Sequence, residues 1–217
     1  MSKFIPEPDA KAYDDIWERQ VALGKQAKYN NRYAKLHATL AESLAPHDIV
    51  LEVGCGMGHF TGNYIAPTCL DFLATDYSPK AIEIAKKTFP LIANKFEVFD
   101  PLLGNGLRSD RTSVYRLLLS HFRFNTIVAL EFLEHIDQDI EFITSIESGV
   151  KVIFSLPLNE KQKSGYPPGT PKGYGLHRRI YTLDSIHERY GTLIDIQLVQ
   201  PVRRKPALWT TLIGYKR

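Results

Sequence analysis

The sequence of 217 residues predicts an α/β fold built on a mostly parallel sheet. Five short apolar segments recur along its first three quarters, and helical or turn-forming stretches separate each from the next. Strands that alternate with helices in this way form parallel sheets with right-handed crossovers. The five predicted strands are Ile49 to Val53, Asp71 to Thr75, Lys95 to Phe99, Thr126 to Leu130 and Val150 to Leu156.

Two further apolar segments near the end of the chain predict an antiparallel pair at the edge of the sheet. Leu193 to Val199 and Leu208 to Tyr215 are joined by PVRRKPA, which leaves no room for a crossover helix. The basic residues Arg203, Arg204 and Lys205 are expected in the turn of this hairpin, where water solvates them.

The chain before the first strand predicts two amphipathic helices. From Ala10 to Leu44 the apolar positions follow helical spacing, with Gly24 between two groups of them. We therefore expect an N-terminal helical cap over residues 1–45 and one domain over residues 46–217. The 44% of hydrophobic residues suffice for a single core of this size.

Two segments interrupt the alternation of strands and helices. Residues 101–123 exceed a tight connection and contain SVYRLLLSHF, which predicts a short helix. Residues 157–176 are rich in proline and glycine and lack periodicity, and loops of this kind are usually functional or disordered. We expect this loop to be a mobile lid over the active site, and the alternative is a solvated loop without a role.

The composition excludes several classes of protein. Lys and Arg number 27 against 24 Asp and Glu, so the formal charge of +3 does not support a nucleic-acid partner. The two cysteines, Cys55 and Cys69, are too few for a disulfide framework or a four-thiolate zinc site. The polar N-terminus does not resemble a signal peptide, and no apolar run approaches the roughly 20 residues of a membrane span. These features predict a cytoplasmic protein.

A glycine-rich turn follows the first predicted strand. In IVLEVGCGMGHFT, glycines at 54, 56 and 58 permit positive φ and let a ligand approach the backbone closely. Asp76 ends the next strand, 22 residues after Gly54, where doubly wound folds present an acid to ribose hydroxyls. Ser78 and Pro79 are also typical of a helix start, which explains the same stretch structurally. The pattern predicts a site for a nucleotide-like cofactor.

The spacing of the glycines distinguishes between cofactors. Dinucleotide-binding turns read G-x-G-x-x-G, whereas here the third glycine follows the first by four residues and Glu52 precedes the turn by two. This E-x-G-x-G-x-G pattern resembles motif I of the class I S-adenosylmethionine (SAM)-dependent methyltransferases. The resemblance continues through TDYSPKAIEIAKK, FEVFDPL and VALEFLEHI, and it spans Ile49 to Leu158.

The resemblance implies a Rossmann-like class I methyltransferase fold with a seven-stranded sheet, a reversed last strand and extra N-terminal helices. It also implies that residues 46–217 form the SAM-binding domain, and that S-adenosylhomocysteine is the product left by the cofactor. NAD is not the cofactor that this pattern favours.

The resemblance further implies roles for individual residues. The backbone from Gly54 to Gly58 would approach the methionine moiety, and Asp76 would bind the ribose. Tyr77 would lie along the adenine and Asp100 would meet its amino group, although a half-buried aromatic and a turn-forming acid are the structural explanations for these two. The set expected at the cofactor is Glu52, Gly54, Cys55, Gly56, Gly58, Asp76, Tyr77, Asp100 and Glu131.

The E-x-x-E-H spacing of Glu131, Glu134 and His135 after the fourth strand has three interpretations, because residues one turn apart can share a helix face. In the first, Glu131 faces the cofactor pocket and the other two orient the next turn. In the second, His135 is a general base, with Glu131 and His177 as further catalytic candidates. In the third, all four residues bind a metal, as similar clusters bind Mg²⁺ in some ubiquinone-pathway O-methyltransferases and small-RNA ribose methyltransferases. The oxygen preference of Mg²⁺ counts against this third interpretation.

The residues His177, Arg178 and Arg179 follow the Pro/Gly loop and are candidates to contact an anionic acceptor, the alternative being a solvated basic rim. The leading hypothesis is a methyltransferase that uses SAM to methylate an oxygen or nitrogen of a small molecule. The alternatives are a metal-dependent RNA ribose 2′-O-methyltransferase, an NAD(P)-dependent oxidoreductase, which the glycine spacing opposes, and a protein that only binds the cofactor.

Overall fold

The computed structural model describes residues 10–22, 26–99, 123–158, 177, 179, 181–204 and 207–217, and the strands in these ranges form a seven-stranded sheet. The strands are β1 (Ile49–Val53), β2 (Asp71–Asp76), β3 (Phe96–Val98), β4 (Thr126–Leu130), β5 (Lys151–Leu158), β6 (Ile194–Arg204) and β7 (Ala207–Lys216). Their order across the sheet is β3-β2-β1-β4-β5-β7-β6. Strands β1 to β5 pair in parallel, whereas β7 is antiparallel to both β5 and β6. The predicted mostly parallel sheet with an antiparallel last strand is confirmed.

The strand order reverses direction between β1 and β4. The chain proceeds from β1 outward through β2 and β3, and then returns to β4 on the other side of β1. The connections that leave β1 and β4 therefore diverge, and a crevice opens at the carboxyl ends of these two strands. In open α/β sheets this switch point is where ligands bind, so the topology places the candidate site before any side chain is considered.

Two predicted strand boundaries shift in the structure. Strand β3 is shorter than predicted, because Lys95 ends a 3-10 helix (Pro90–Lys95) and pairing with β2 stops at Val98. Strand β5 is longer than predicted and takes in Pro157 and Leu158, which pair with β7. The expectation that the Pro/Gly loop begins at residue 157 is therefore wrong by two residues.

The terminal hairpin is also longer than predicted, and Arg203 and Arg204 belong to β6 rather than to the turn. Pairing continues to Arg204 opposite Ala207, which leaves two residues between the strands. Pro201 lies inside β6, and a strand interior tolerates proline when the strand is at the sheet edge. The prolines of this segment are typical of a connection, which is why the prediction placed Arg203 and Arg204 in the turn. That prediction is wrong, because both arginines pair with β7.

The helices of the described residues are α1 (Ala10–Ala22), α2 (Gln26–Ala41), α3 (Ala66–Thr68), α4 (Pro79–Thr88), α5 (Asp139–Ser145) and α6 (Leu183–Tyr190), with a π-helical segment (Thr61–Ile65) leading into α3. Helices α1 and α2 confirm the two predicted N-terminal helices. As predicted, Ser78 caps α4 by accepting the Ala81 N–H, and Pro79 is its first residue. Thr182 caps α6 through a reciprocal pair of bonds with Ser185. Among the described helices, none has the length and apolar character that a membrane crossing requires.

Helices cover both faces of the sheet. On one face α2 buries Leu36 and Leu40 against alternate residues of β1, β4 and β5. On the other face α5 and α6 bury Phe142, Ile143 and Ile186 against the intervening residues of the same strands. Leu36 and Leu40 are 3% and 0% exposed, so the second half of α2 belongs to the same core as the sheet. The division of the chain at residue 45 stays a prediction.

Several predictions concern residues outside the described ranges. The helix predicted within residues 101–123 and the lid predicted over residues 157–176 fall almost wholly there. So do Lys205 of the terminal hairpin, Asp100 of the expected cofactor set and Arg178 of the basic group after the loop.

Candidate active site

The glycine-rich turn lies at the carboxyl end of β1, beside the crevice. Gly54, Gly56 and Gly58 have φ of 72°, 54° and 74°, which is the left-handed region that favours glycine. Gly58 is also closed in by the protein core, because a Cβ there would lie 2.7 Å from ring atoms of Phe96. The sequence thus folds this turn tightly onto the sheet at the carboxyl end of β1.

The predicted acid, Asp76, is the last residue of β2 and its side chain lies against the same turn. One carboxylate oxygen accepts the Gly56 N–H at 2.8 Å, and the other accepts the Ser78 N–H at 2.9 Å. Only 6% of the residue is exposed. These two bonds fix the carboxylate between the glycine turn and the start of α4, so the structure brings Asp76 and Gly56 together as the sequence predicts.

Glu52, which was also expected at the cofactor, is fully buried behind the turn. The hydroxyl of Thr61, in the π-helical segment, donates to its carboxyl group. Burial raises the pKa of Glu52 to about 8 despite that bond, with a further contribution from the charge of Asp76. The carboxyl group is therefore protonated at neutral pH. Its hydrogen bond with the Thr61 hydroxyl supports the glycine turn from inside the protein.

Two other members of the expected set lie within the turn and beside Asp76. Cys55 is buried, and burial raises the pKa of its thiol well above the usual range. Tyr77 follows Asp76 and is half-buried, with its ring in edge contact with Tyr13 of α1 at 4.9 Å between centroids. A thiol in this environment is unreactive, so Cys55 serves packing, whereas Tyr77 presents an aromatic surface next to the acid.

Glu131, the first residue after β4, has an unusual backbone conformation. Its φ is 53°, and among the described non-glycine residues no other has a positive φ. The Ser155 hydroxyl of β5 donates to the Glu131 carboxylate at 2.8 Å and accepts the Glu131 N–H at 3.0 Å. Strained conformations of this kind persist where surrounding contacts hold them, often at functional sites. Here the contacts with Ser155 hold the chain where it leaves the sheet.

The structure brings Glu134, His135 and His177 together but does not bring Glu131 into the same group. One ligand atom from each of the three lies within 4.8 Å of the others, and the two imidazole rings are 4.8 Å apart between centroids. Glu134 is fully buried. Residues 133–135 form a single 3-10 turn rather than an α-helix, so the helix face expected for Glu131, Glu134 and His135 does not form. His177 reaches the group from the far end of the Pro/Gly loop.

Arg179 connects the His177 segment to the turn that carries His135. Its guanidinium donates to the carbonyl oxygens of Ile136 and Asp137 and forms an ion pair with Asp139 at 2.9 Å. These bonds are internal to the protein. They explain the position of the Arg179 side chain without an anionic acceptor. Arg179 therefore does not support the hypothesis that the basic group contacts the acceptor.

Sequence analysis missed Asp139, the centre of a buried polar network. The Arg189 guanidinium donates to it in two bonds of 2.6 and 2.7 Å, and the Tyr190 hydroxyl donates at 2.7 Å. Although the residue is buried, these donors and the Arg179 charge hold the pKa of Asp139 below its usual value. An acid in the first turn of a helix is ordinarily explained by the helix dipole, so nothing in the sequence separates Asp139 from a surface acid.

Comparison with known proteins gives a family and a fold. A family model described as a methyltransferase domain matches residues 25–190. The ubiquinone biosynthesis O-methyltransferase of Schizosaccharomyces pombe mitochondria is 33% identical over 102 residues, which are 47% of this chain and 34% of that protein. The matched part thus spans about a third of the length of this curated relative.

Solved structures share the fold at low sequence identity. The N-methyltransferase NodS of Bradyrhizobium japonicum, in complex with S-adenosylhomocysteine, has a TM-score of 0.63 at 16% identity, covering 93% of this chain and 97% of its own. A SAM-dependent methyltransferase of Anabaena variabilis has a TM-score of 0.67 at 15% identity, covering 98% of both chains. The [4+2]-cyclase SpnF has a TM-score of 0.68 at 12% identity, again covering 98% of both chains. Because a cyclase shares this fold, the fold alone does not fix the reaction.

Proposed function

Because this chain belongs to the methyltransferase domain family, we propose that it transfers a methyl group from S-adenosylmethionine (SAM) to an oxygen or a nitrogen of a small-molecule acceptor. The contact of Asp76 with the glycine turn carries the proposal. A carboxylate at the end of β2 lies 2.8 Å from the Gly56 N–H, so a group that binds hydroxyls adjoins a backbone that admits close approach. SAM presents a ribose diol and a methionine chain on one sulfonium centre, and we propose that Asp76 binds the diol and the glycine turn the methionine chain.

The residues of the crevice fit this cofactor. A carboxylate accepts about four hydrogen bonds, so the bonds from Gly56 and Ser78 do not exhaust the capacity of Asp76. The half-buried ring of Tyr77 provides a flat surface for the adenine. Asp100 follows β3 closely along the chain and keeps its proposed role at the adenine amino group. The fully buried Glu52 is proposed to act through the turn that it supports.

Bound SAM supplies a methyl group on a positively charged sulfur, so the leaving group is already activated. The protein then has to hold the acceptor in line with that methyl group and receive its proton. We propose His135 and His177 for the proton, because histidine exchanges protons near neutral pH and their rings are adjacent at the carboxyl edge of the sheet. The buried carboxyl group of Glu134 lies within reach of both rings. In its ionised form it would favour the protonated imidazole.

The name of one relative supports a small acceptor, and the names of two similar proteins do not select the acceptor atom. The relative from S. pombe is an O-methyltransferase of ubiquinone biosynthesis, and NodS is an N-methyltransferase. The formal charge of +3 does not favour a nucleic acid. A nicotinamide-dependent oxidoreductase, which the glycine spacing already opposed, has no support in the family match.

Calorimetric titration with S-adenosylhomocysteine tests the role of Asp76. The variant Asp76→Asn keeps the shape of the side chain but removes its charge, so the hydroxyl donors of the ribose lose a charge-assisted acceptor. We expect affinity to fall at least tenfold, which corresponds to about 1.4 kcal/mol. The matched control is Asp71→Asn at the opposite end of β2, where the side chain pairs with Lys95; its affinity should equal that of the unmodified protein. Equal affinity in both variants would remove Asp76 from the site.

A second candidate function is metal-dependent methyl transfer to the ribose 2′-hydroxyl of RNA. The observation that favours it is the grouping of Glu134, His135 and His177, whose ligand atoms lie within 4.8 Å of one another. Two imidazole nitrogens and one carboxylate suit Mn²⁺, Fe²⁺ or Zn²⁺ better than Mg²⁺, which prefers an all-oxygen shell. The metal would serve as a Lewis acid at the hydroxyl group.

Titration with Mn²⁺ followed by electron paramagnetic resonance distinguishes this second candidate from the first. If the site holds a metal, the unmodified protein should bind one Mn²⁺, and His177→Ala should weaken that binding at least tenfold. The control His47→Ala changes a histidine whose side chain is 82% exposed, and its Mn²⁺ affinity should not change. Absence of Mn²⁺ binding in the unmodified protein would eliminate the second candidate and leave the first intact.

A further inference from the structure

Helix α1 is attached to the rest of the protein by one narrow face. It lies outside residues 25–190, which the family model matches. Tyr13, Asp14 and Trp17 are its half-buried side chains among those described, whereas Ile16 and Val21 are exposed at 37% and 41%. A helix that leaves apolar residues in water and packs through three half-buried side chains gains little free energy from the burial of apolar surface. Its position must therefore be explained by what those three residues contact.

Trp17 covers the glycine turn. A Cβ on Gly56 would lie 3.2 Å from two carbon atoms of the indole ring, Cη2 and Cζ2. The indole therefore lies beside Gly56 on the side where a side chain would point, in the space that a Cβ would need. This is the surface to which the proposed function brings the cofactor. The space that a side chain at Gly56 would fill is therefore occupied by Trp17 of the same chain.

Tyr13 extends the same contact along the crevice. Its ring meets the ring of Tyr77 edge-on at 4.9 Å and that of His135 edge-on at 6.1 Å between centroids. Tyr77 was expected at the adenine and His135 at the acceptor. A single residue of α1 therefore touches both ends of the proposed site, and α1 lies across it.

Asp14 fastens α1 to the start of α4. The Ser78 hydroxyl donates to the Asp14 carboxylate, and the Lys80 N–H donates to the same oxygen at 3.1 Å. Ser78 caps the Ala81 N–H of α4 and Asp14 accepts the Lys80 N–H of the same turn, so loss of Asp14 removes one of two side-chain caps and leaves the other. A weaker ion pair joins Lys80 to the exposed Glu18 at 3.7 Å. Asp14 thus adds a local polar attachment to the aromatic contacts of Tyr13 and Trp17, and none of these three residues belongs to the described core clusters.

We propose that α1 is a plug of the cofactor crevice, in which Trp17 and the cofactor compete for the surface over Gly56. The docked helix has to leave this position before SAM or S-adenosylhomocysteine binds, and Asp14 is the latch that sets how often it does so. The inference rests on the proposed function for the identity of the ligand. When a binding-competent state is only partly populated, the observed affinity falls by that fraction, so loosening the latch should tighten binding.

Tryptophan fluorescence reports the position of α1 directly, because the chain contains two tryptophans, Trp17 and Trp209. In a Trp209→Phe background only Trp17 emits. Adding Asp14→Ala without ligand should shift its emission to the red and increase its quenching by acrylamide, since the indole moves into water. S-adenosylhomocysteine should produce the same shift in the background with Asp14 intact. The control Asp15→Ala changes an exposed acid on the outer face of α1 and should leave the emission unchanged.

Affinity and kinetics complete the test. Asp14→Ala and Trp17→Ala should each bind S-adenosylhomocysteine about tenfold more tightly than the unmodified protein, and Asp15→Ala should bind equally. In stopped-flow mixing, the observed rate of the unmodified protein should reach a plateau with ligand concentration, set by release of α1, and Asp14→Ala should raise that plateau. Weaker binding by Trp17→Ala, or no Trp17 response to a ligand that calorimetry shows to bind, would overturn the plug while sparing the proposed function. Absence of binding in every variant would overturn both.

Discussion

The buried carboxyl group of Glu52 makes the stability of this protein depend on pH in a direction opposite to that of most acids. Desolvation, first among the causes, raises its folded pKa from 4.5 to about 8. The folded state therefore keeps the proton between these two values, whereas the unfolded chain releases it. The stabilising contribution of the proton is complete below about pH 4.5 and is lost as pH rises through about 8. Between these limits the free energy of unfolding should fall with increasing pH.

The size of the effect follows from the shift. A pKa difference of one unit corresponds to about 1.4 kcal/mol, so the change from 4.5 to about 8 sets a ceiling of about 5 kcal/mol. Glu52→Gln replaces the acid with a neutral side chain of the same shape that can still accept the Thr61 hydroxyl. The variant should lose this pH dependence without losing the packing.

Urea denaturation at several pH values from about 5 to about 8 measures this difference. The free energy of unfolding of the unmodified protein, minus that of Glu52→Gln, should fall by about 2–4 kcal/mol across this range. His37 acts in the other direction, because burial lowers its pKa to about 4 and its contribution is lost as pH falls from about 6.5. Both proteins contain His37, so the subtraction removes it. Parallel curves for the two proteins would refute the account of Glu52.

Two further substitutions test the packing of the turn and the buried network. Gly58→Ala should destabilise the protein by about 2–4 kcal/mol in urea denaturation, because the added Cβ would overlap Phe96 and the residue keeps a positive φ. The control is Gly149→Ala, where φ is 86° and no atom lies within 4 Å of the added Cβ. This variant should show only the backbone strain, about 1 kcal/mol. Equal losses would mean that the overlap is relieved by movement of the ring. Asp139→Asn should lower the free energy of unfolding by about 2–4 kcal/mol, since two guanidinium groups lose their buried partner. The exposed pair of Asp195 with Arg217 is the comparison, and Asp195→Asn should cost less than about 1 kcal/mol; equal losses would contradict the role of burial.

The sheet could be predicted from the sequence because its signals are local. Apolar runs of five to eight residues punctuated by glycine and proline locate the strands, and the absence of room for a helix between β6 and β7 gives their antiparallel pairing. The sequence also assigned Asp76 and the glycine turn to one cofactor site, and the structure adds their direct hydrogen bond, since the carboxyl ends of neighbouring parallel strands meet at one edge. Where the prediction failed, at Arg203 and Arg204, prolines in an edge strand were interpreted as a connection.

The remaining features of the site depend on contacts between distant parts of the chain. His177 lies 42 residues from His135, and the ion pair and carbonyl contacts of Arg179 hold its segment beside the turn after β4. Trp17 contacts Gly56 because Asp14 binds the start of α4, which helical periodicity in α1 does not reveal. Periodicity identifies a helix and its apolar face, but it does not say which surface that face covers.

We infer that the crevice at the carboxyl ends of β1 and β4 binds a SAM-type cofactor rather than a dinucleotide. Calorimetric titration of the unmodified protein with S-adenosylhomocysteine, and separately with NAD, tests it most directly. We expect S-adenosylhomocysteine to bind with a dissociation constant on the order of micromolar and NAD to produce no heat. Binding of NAD, or no heat with either ligand, would contradict it.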